Sequence, residues 1–438
     1  MPQLRDAAPL PIDDVLPAVC RALASARAAV LVAPPGAGKT TRVPLALLDE
    51  PWSGGGRVLV LEPRRIAARA AAAQMARLLG EEPGGTVGYR VRHESRVGPR
   101  TRVEVVTEGI LTRMVQDDPA LDGVAAVCFD EFHERHLTAD LGLALVLESR
   151  AVLREDLRVL VMSATLEAAP VAALLGGAPV VASEGRSFPV TTVWRPPRPD
   201  TPVALAVAHA VREAWAGTEG DVLVFLPGIA EIDRARRALA EVAALPDAEV
   251  LLLHGGLTLA EQDQVLRRRG TRRRVVLSTA IAESSVTLED VRVVVDAGLA
   301  RVPRFDPRSG MTRLETTRVS QASADQRRGR AGRVAPGHCV RLWSEGEQAA
   351  LPARAVPEIL EADLAALALE LAVAGIADAG ALAWLDAPPA GALAQARALL
   401  TDLGALGPDG RATPHGRAMA GLGLTPRLAH LVLIGAAR

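Results

Sequence analysis

Lysine is nearly missing from this 438-residue chain: of its 50 basic residues, 49 are arginine and one is Lys39. Cysteine is scarce too. Cys20, Cys128 and Cys339 lie far apart without a CxxC spacing, which argues against a disulfide framework or zinc site and for a reducing compartment. Aromatics are 3% of the chain against 49% apolar residues, so a core must be mostly Ala, Val and Leu. No apolar run approaches the ~18 residues of a membrane span. The start, MPQLRDAAPLP, lacks the basic-then-apolar layout of a secretory leader. Net charge is −1, so any basic surface is local. A soluble, cytoplasmic protein is expected, long enough for two or three domains.

What is present is a rhythm of short apolar runs between Ala/Leu/Arg-rich stretches of helical period. AAVLVA (28–33), RVLVLEP (57–63), VAAVCFDE (124–131) and LRVLVMSAT (157–165) read as strands. A second series follows residue 195: GDVLVFLPG (220–228), AEVLLLHGG (248–256), RRVVLSTA (273–280) and VRVVVDAG (291–298). Continuous Val/Leu runs suit strands covered on both faces, and interleaved helices then imply two parallel α/β domains. WRPPRPDTP (194–202), rich in proline, reads as the linker between them. A third, helical region starts near residue 350. The chain stops at Arg438 inside an apolar helical pattern, as expected of a truncated chain or partial gene product.

APPGAGKT (33–40) follows a strand and precedes a helical stretch, the context a P-loop requires. The pattern G-x-x-x-x-G-K-[ST] is met except at its first position, where Ala33 replaces Gly. Gly36 and Gly38 let backbone N–H groups approach phosphate oxygens, and a helix N-terminus favours the negative charge. This context accounts for the lone lysine. A compact ammonium fits between two phosphates as a point charge, and a planar guanidinium does not fit the same loop in the same geometry.

The run VAAVCFDEFHERH ends a strand in Asp130-Glu131. In P-loop proteins an acid at this strand end holds Mg²⁺ together with the P-loop hydroxyl. Thr40 and Asp130, with Glu131 beside them, are the candidates, and Glu131 is placed to orient and deprotonate an attacking water. His133 and His136 have a spacing that could serve a metal, but no further ligand cluster accompanies them.

DEFH is similar to the DEAH box of superfamily 2 helicases, with Phe132 where Ala is usual. Other motifs of that family match in order. EPRRIAARA (62–70) resembles motif Ia, TEGIL (107–111) Ib, SAT (163–165) III, FLPG (225–228) IV, STAIAESSVTL (278–288) V and QRRGRAGR (326–333) VI. With the P-loop and DEFH these make eight ordered motifs, and the resemblance runs from about residue 15 to the C-terminus. It implies an α/β fold of two tandem RecA-like parallel-sheet domains, 1–195 and 196–348. A winged-helix domain, 349–420, and the start of a helical, ratchet-like domain, 421–438, would follow.

For function the resemblance implies an ATP-dependent RNA helicase moving 3′→5′, with ATP and Mg²⁺ in the cleft between the two domains. Gly36, Ala37, Gly38, Lys39, Thr40, Thr41, Arg65, Asp130 and Glu131 would form the ATP site. From motif VI, Gln326 would help place the water, and Arg330 and Arg333 would be arginine fingers. Ser163 and Thr165 would couple this site to RNA. Arg64, Thr107, Gly228 and Thr279 would contact the RNA backbone without reading bases, although Thr107 and Thr279 serve equally well as caps. The expected partner is single-stranded or structured RNA, bound by a monomer; no residue separates RNA from DNA, and protein partners are not legible. A DNA-directed motor and a catalytically weak RNA-binding scaffold are the alternatives.

RVPRFDPRSGMTRLETTRVS (301–320) reads as a β-hairpin around DPRSG, which in the family acts as a strand-separating wedge. Segment 267–333 carries 16 Arg against 7 acids, the local basic patch that the net charge conceals. One departure stands out. The family's adenine-stacking Phe falls near Leu266, which is no aromatic, so weak discrimination among nucleoside triphosphates is expected.

Overall fold

The structure, a computed structural model, describes residues 8–436 except 165–167, 186–187, 243–244, 246, 268–270, 284–287, 289 and 307–308. The first sheet has eight strands: β1 (Ala28–Val32), β2 (Arg57–Glu62), β3 (Val87–Val91), β4 (Glu94–Arg96), β5 (Val103–Thr107), β6 (Val124–Phe129), β7 (Arg158–Ser163) and β8 (Val180–Ala182). Their order is β4-β3-β5-β2-β6-β7-β1-β8, parallel except for the β3–β4 hairpin. Both faces of the central strands β1, β2, β6 and β7 are covered, which is why these read as continuous apolar runs rather than alternating. Along β1, Ala28, Val30 and Val32 join one apolar cluster while Ala29 and Leu31 join another on the opposite face.

The second sheet contains β9 (Val190–Trp194), β10 (Asp221–Phe225), β11 (Glu249–Leu253), β12 (Arg274–Ser278), β13 (Val291–Asp296) and a sixth strand later in the chain. A two-stranded antiparallel ribbon, β14 (Leu299–Asp306) and β15 (Met311–Arg318), stands apart from both sheets. It is the hairpin expected from the sequence, two residues earlier at each end. β16 (Gly337–Arg341) then completes the all-parallel order β11-β12-β10-β13-β16-β9.

All eight strands expected from apolar runs are present. One expectation is corrected. The proline-rich stretch 194–202 is not where the chain passes between sheets, because β9 already pairs with β16 of the second sheet before it begins. β9 is a half-buried edge strand with no continuous apolar run, so its sequence, VTTVW, hides it. Trp194 at its end packs edge-on against Trp343, 5.9 Å between ring centres.

The third region is helical: Ala365–Val373, Ala390–Asp402, Pro414–Gly421 and Pro426–Ala436, with a two-residue antiparallel bridge between Leu406 and Ala412. Its Ile359, Leu367, Leu371, Leu400 and Met419 extend the apolar cluster on one face of the first sheet. Among the described residues, no single helix is long and apolar enough to cross a membrane.

Candidate active site

In parallel α/β sheets, ligands sit beyond the carboxyl ends of the strands. The loop 33–38 leaves β1 there, and Asp130-Glu131 leave β6, with β7 between them. Ala33 N donates to the Ser163 carbonyl at the end of β7, 2.9 Å away, which ties the loop to its neighbour. Gly36 and Gly38 take φ of 88° and 99°, values that L side chains rarely adopt. A β-carbon on Gly38 would also meet Leu10 Cδ1 at 2.7 Å. The helix Lys39–Ala46 begins directly after it.

Lys39 is 4% exposed and its Nζ lies 2.8 Å from Glu131 Oε1 and 3.6 Å from Asp130 Oδ1. Burial alone would lower its pKa; the Asp130 and Glu131 carboxylates outweigh burial and push it up, so the ammonium stays charged. The Thr40 hydroxyl donates to Asp130 Oδ2, and the other oxygen, Oδ1, accepts from the Glu131 backbone N–H at 2.8 Å. Burial pushes Asp130 up. Burial works against charge on Glu131 as well, but Lys39 and His133 outweigh it and hold that carboxyl below its usual range. Glu131 sits at φ 50°, a strained backbone of the kind found at functional sites. Its Oε2 is buried without a hydrogen-bond partner. This set of hydroxyl and carboxylate oxygens suits a hard cation such as Mg²⁺.

The second sheet faces this group. Gln326 Nε2 lies 3.3 Å from His133 Nε2. Arg330 is 3% exposed, and its Nε donates to the Glu283 carbonyl at 2.9 Å. Burial and the neighbouring Arg333 push Arg330 well below the usual guanidinium range, while Glu131 opposes the shift. Arg333, lowered to about 10 by burial against the same opposition, stays charged at neutral pH. A β-carbon placed on Gly36 would lie 3.9 Å from Arg333 Nε, an atom that is buried without a partner. Of the other two motif VI arginines, Arg327 is structural, locked by Glu283 and Asp296, each at 2.9 Å.

The remaining sequence candidates fall into place unevenly. Arg64 holds the N-cap position of the helix Arg65–Leu79 without a side-chain cap bond and donates to Glu134 Oε2 at 2.8 Å, while Arg65 is exposed. Thr107 ends β5 beside the end of β2, so it neighbours the Arg64 segment. Thr107 and Thr279 both hold N-cap positions but make no side-chain cap bond. Gly228 follows β10 and Thr279 follows the adjacent β12, a matching pair on the second sheet. Leu266 packs against the second sheet's apolar cluster. Ser163 ends β7; Thr165 lies outside the described residues. The two histidines that share an i,i+3 spacing engage different groups, His133 facing Gln326 and His136 facing Glu108 and Glu134.

Sequence reasoning missed two features. Glu62, at the end of β2, is buried beside Asp130 and is pushed well up by burial, Asp130 and Glu131; a carboxylate ending an apolar strand was the available signal. A strap at residues 8–13 also crosses the back of the P-loop. Ile12 N donates to the Ala37 carbonyl at 3.1 Å and Arg42 Nη2 to the Ala8 carbonyl at 2.8 Å.

Residues 15–174 match the model of the DEAD/DEAH box helicases, and residues 206–335 match the helicase conserved C-terminal domain. The ATP-dependent RNA helicase HrpB of Escherichia coli K12 is 48% identical over 431 residues, 97% of this chain. The chain carries a DEAD/DEAH box helicase domain followed by a helicase conserved C-terminal domain. It spans about half of that HrpB, 52% of its length. The ATP-dependent RNA helicase HrpA of the same organism is 35% identical over 434 residues, which are 97% of this chain and 33% of HrpA. A crystal structure of the E. coli DEAH/RHA helicase HrpB superimposes with a TM-score of 0.90 over 96% of this chain and 54% of that one. The two sheets are therefore the two RecA-like domains of a helicase core.

Proposed function

We propose that this chain is an RNA-stimulated nucleoside triphosphatase that drives 3′→5′ movement on single-stranded RNA and remodels duplexes or RNA–protein complexes. One observation supports it above others: the Lys39 ammonium on one domain is opposed by the Arg330 and Arg333 guanidiniums on the other, with Glu131 between them. In this reading Gly36, Ala37, Gly38, Lys39, Thr40 and Thr41 cradle the phosphates. Thr40, Asp130 and Glu131 hold Mg²⁺, which when bound offsets phosphate charge. Glu131, held ionised, takes a proton from the water that Gln326 and His133 orient. Arg330 and Arg333 stabilise charge on the departing phosphoryl group, a role worth about 10³–10⁵ in rate.

Closing the cleft assembles these parts, and loss of the phosphoryl group releases them. Arg64, Thr107, Gly228 and Thr279 hold the polymer backbone, so binding is sequence-tolerant and weakens with salt. The third region acts as a winged-helix domain leading into a ratchet-like helical one, in a cytoplasmic monomer.

The test is ATP turnover without polymer, with single-stranded RNA and with single-stranded DNA, for wild type and Glu131→Gln. RNA stimulation that disappears in Glu131→Gln supports the helicase. Stimulation by DNA alone supports a DNA-directed motor, and a flat, low rate in every condition supports a scaffold.

A further inference from the structure

The loop 131–136 reaches three neighbourhoods. Glu131 and His133 face Lys39 and Gln326. Arg135 pairs with Asp140 at 2.9 Å and with Asp386 of the third region at 2.7 Å. Glu134 and His136 face a different pair of elements, and the assigned nucleotide and RNA contacts leave both without a role.

His136 lies between two carboxylates. Its Nδ1 is 3.0 Å from Glu108 Oε1 and its Nε2 is 3.2 Å from Glu134 Oε2. Glu134 Oε2 also accepts from Arg64 Nη2 at 2.8 Å. Glu108 directly follows Thr107, and its second oxygen accepts from the Thr138 hydroxyl. One connected path therefore runs Arg64–Glu134–His136–Glu108, joining two proposed RNA-backbone contacts to the loop that carries Glu131. An imidazole can donate from both nitrogens only as imidazolium. Burial opposes that charge, but the hydrogen bonds to Glu108 and Glu134 outweigh it and push the pKa to about 10. The path then alternates in charge: guanidinium, carboxylate, imidazolium, carboxylate. A phosphodiester arriving at Arg64 competes with Glu134 for the same donors. Any shift of Glu134 moves a residue three positions from Glu131 in a loop fixed at both ends.

We propose that His136 is a positioning residue that transmits polymer occupancy at Arg64 and Thr107 to Glu131, by clasping Glu134 and Glu108 so that the loop 131–136 and the ends of β2 and β5 move as one piece. This rests on the RNA-stimulated reading above.

The experiment measures ATP turnover of the full chain against single-stranded poly(U) concentration for wild type, His136→Ala, His136→Gln and Glu134→Gln, with thermal unfolding of each. In His136→Ala the RNA-free rate and the KM for ATP are expected to stay near wild type. Stimulation by RNA falls about tenfold, within the usual range of site-to-site coupling, and half-maximal stimulation needs more RNA. His136→Gln, able to donate to one carboxylate only, falls between. If His136→Ala does not fold, Glu134→Gln is to show the same selective loss. Wild-type stimulation in both variants overturns the inference, and so does an equal loss of RNA-free and RNA-stimulated rates. A wild type that RNA does not stimulate overturns the proposed function, and the inference falls with it.

Discussion

Gln326 Nε2 stands 3.3 Å from His133 Nε2, although the two residues are 193 positions apart and sit on helical segments that flank different sheets. Around this contact Lys39 and Glu131 lie on one side and Arg330 and Arg333 on the other. Lys39, Glu131 and Arg330 are buried together beside the half-buried Arg333, which is costly unless a polyanion completes the set.

Removal of the far-side guanidiniums should therefore damage chemistry more than binding. Arg330→Ala and Arg333→Ala are each expected to lower kcat for ATP by about 10³-fold or more, with KM for ATP changed far less. Steady-state kinetics on both variants decide this. A pure KM effect contradicts the assignment.

Lys39→Arg should fail despite keeping the charge. The rigid fork replaces a point charge on a side chain that is only 4% exposed. Turnover is expected to fall at least about tenfold. A normal rate in Lys39→Arg would mean that the single lysine of this arginine-rich chain has no special role.

Nucleotide choice should be loose. Arg65 is exposed and Leu266 packs into an apolar cluster, so an aromatic base stack at that position is lacking. GTP, CTP and UTP are expected to turn over within about tenfold of ATP, since one stacking contact is worth ~1–3 kcal/mol. Rates far below that of ATP for all three refute this.

Arg135 should matter to stability and Asp386 much less. Asp140 is 4% exposed, so Arg135→Ala strands a buried carboxylate and should cost about 3 kcal/mol in urea unfolding. Asp386 is more open, and Asp386→Ala leaves the Arg135–Asp140 pair intact, so it should cost about 1 kcal/mol or less. Equal losses contradict the geometry.

His136 gives stability a defined pH dependence. Its folded pKa is raised to about 10 from an ordinary value of 6.5, so its stabilisation is complete below about pH 6.5. It declines as pH rises through the interval and is gone above pH 10. The difference in Tm between wild type and His136→Gln should shrink steadily from pH 6 to pH 10. A difference that grows with pH would reverse the sign and exclude an imidazolium.

Much of this was legible because chemistry restricts the residues concerned. A phosphate-binding turn needs Gly36, Gly38 and Lys39, and a buried strand ending in Asp130-Glu131 has few bland explanations. The strands with continuous Val/Leu runs were equally visible, since burial on both faces writes itself into composition. β9 and β16 were not, because VTTVW and GHCVR are short, mixed and partly exposed. Arg327 and Arg330 look alike in sequence, and only the fold shows that Arg327 is tied to Asp296 and Glu283. The clasp at His136 was hidden for the same reason: Glu108, Glu134 and Arg64 come from three separate segments, and nothing local signals that they meet.

The most direct test is a crystal structure of the chain with ADP, Mg²⁺ and aluminium fluoride, a mimic of the phosphoryl group in transfer. The expected result is one fluoride group touched at about 3 Å by Lys39 Nζ from the first sheet and by Arg330 and Arg333 from the second. A mimic bound at Lys39 with both arginines turned away from it would contradict the account.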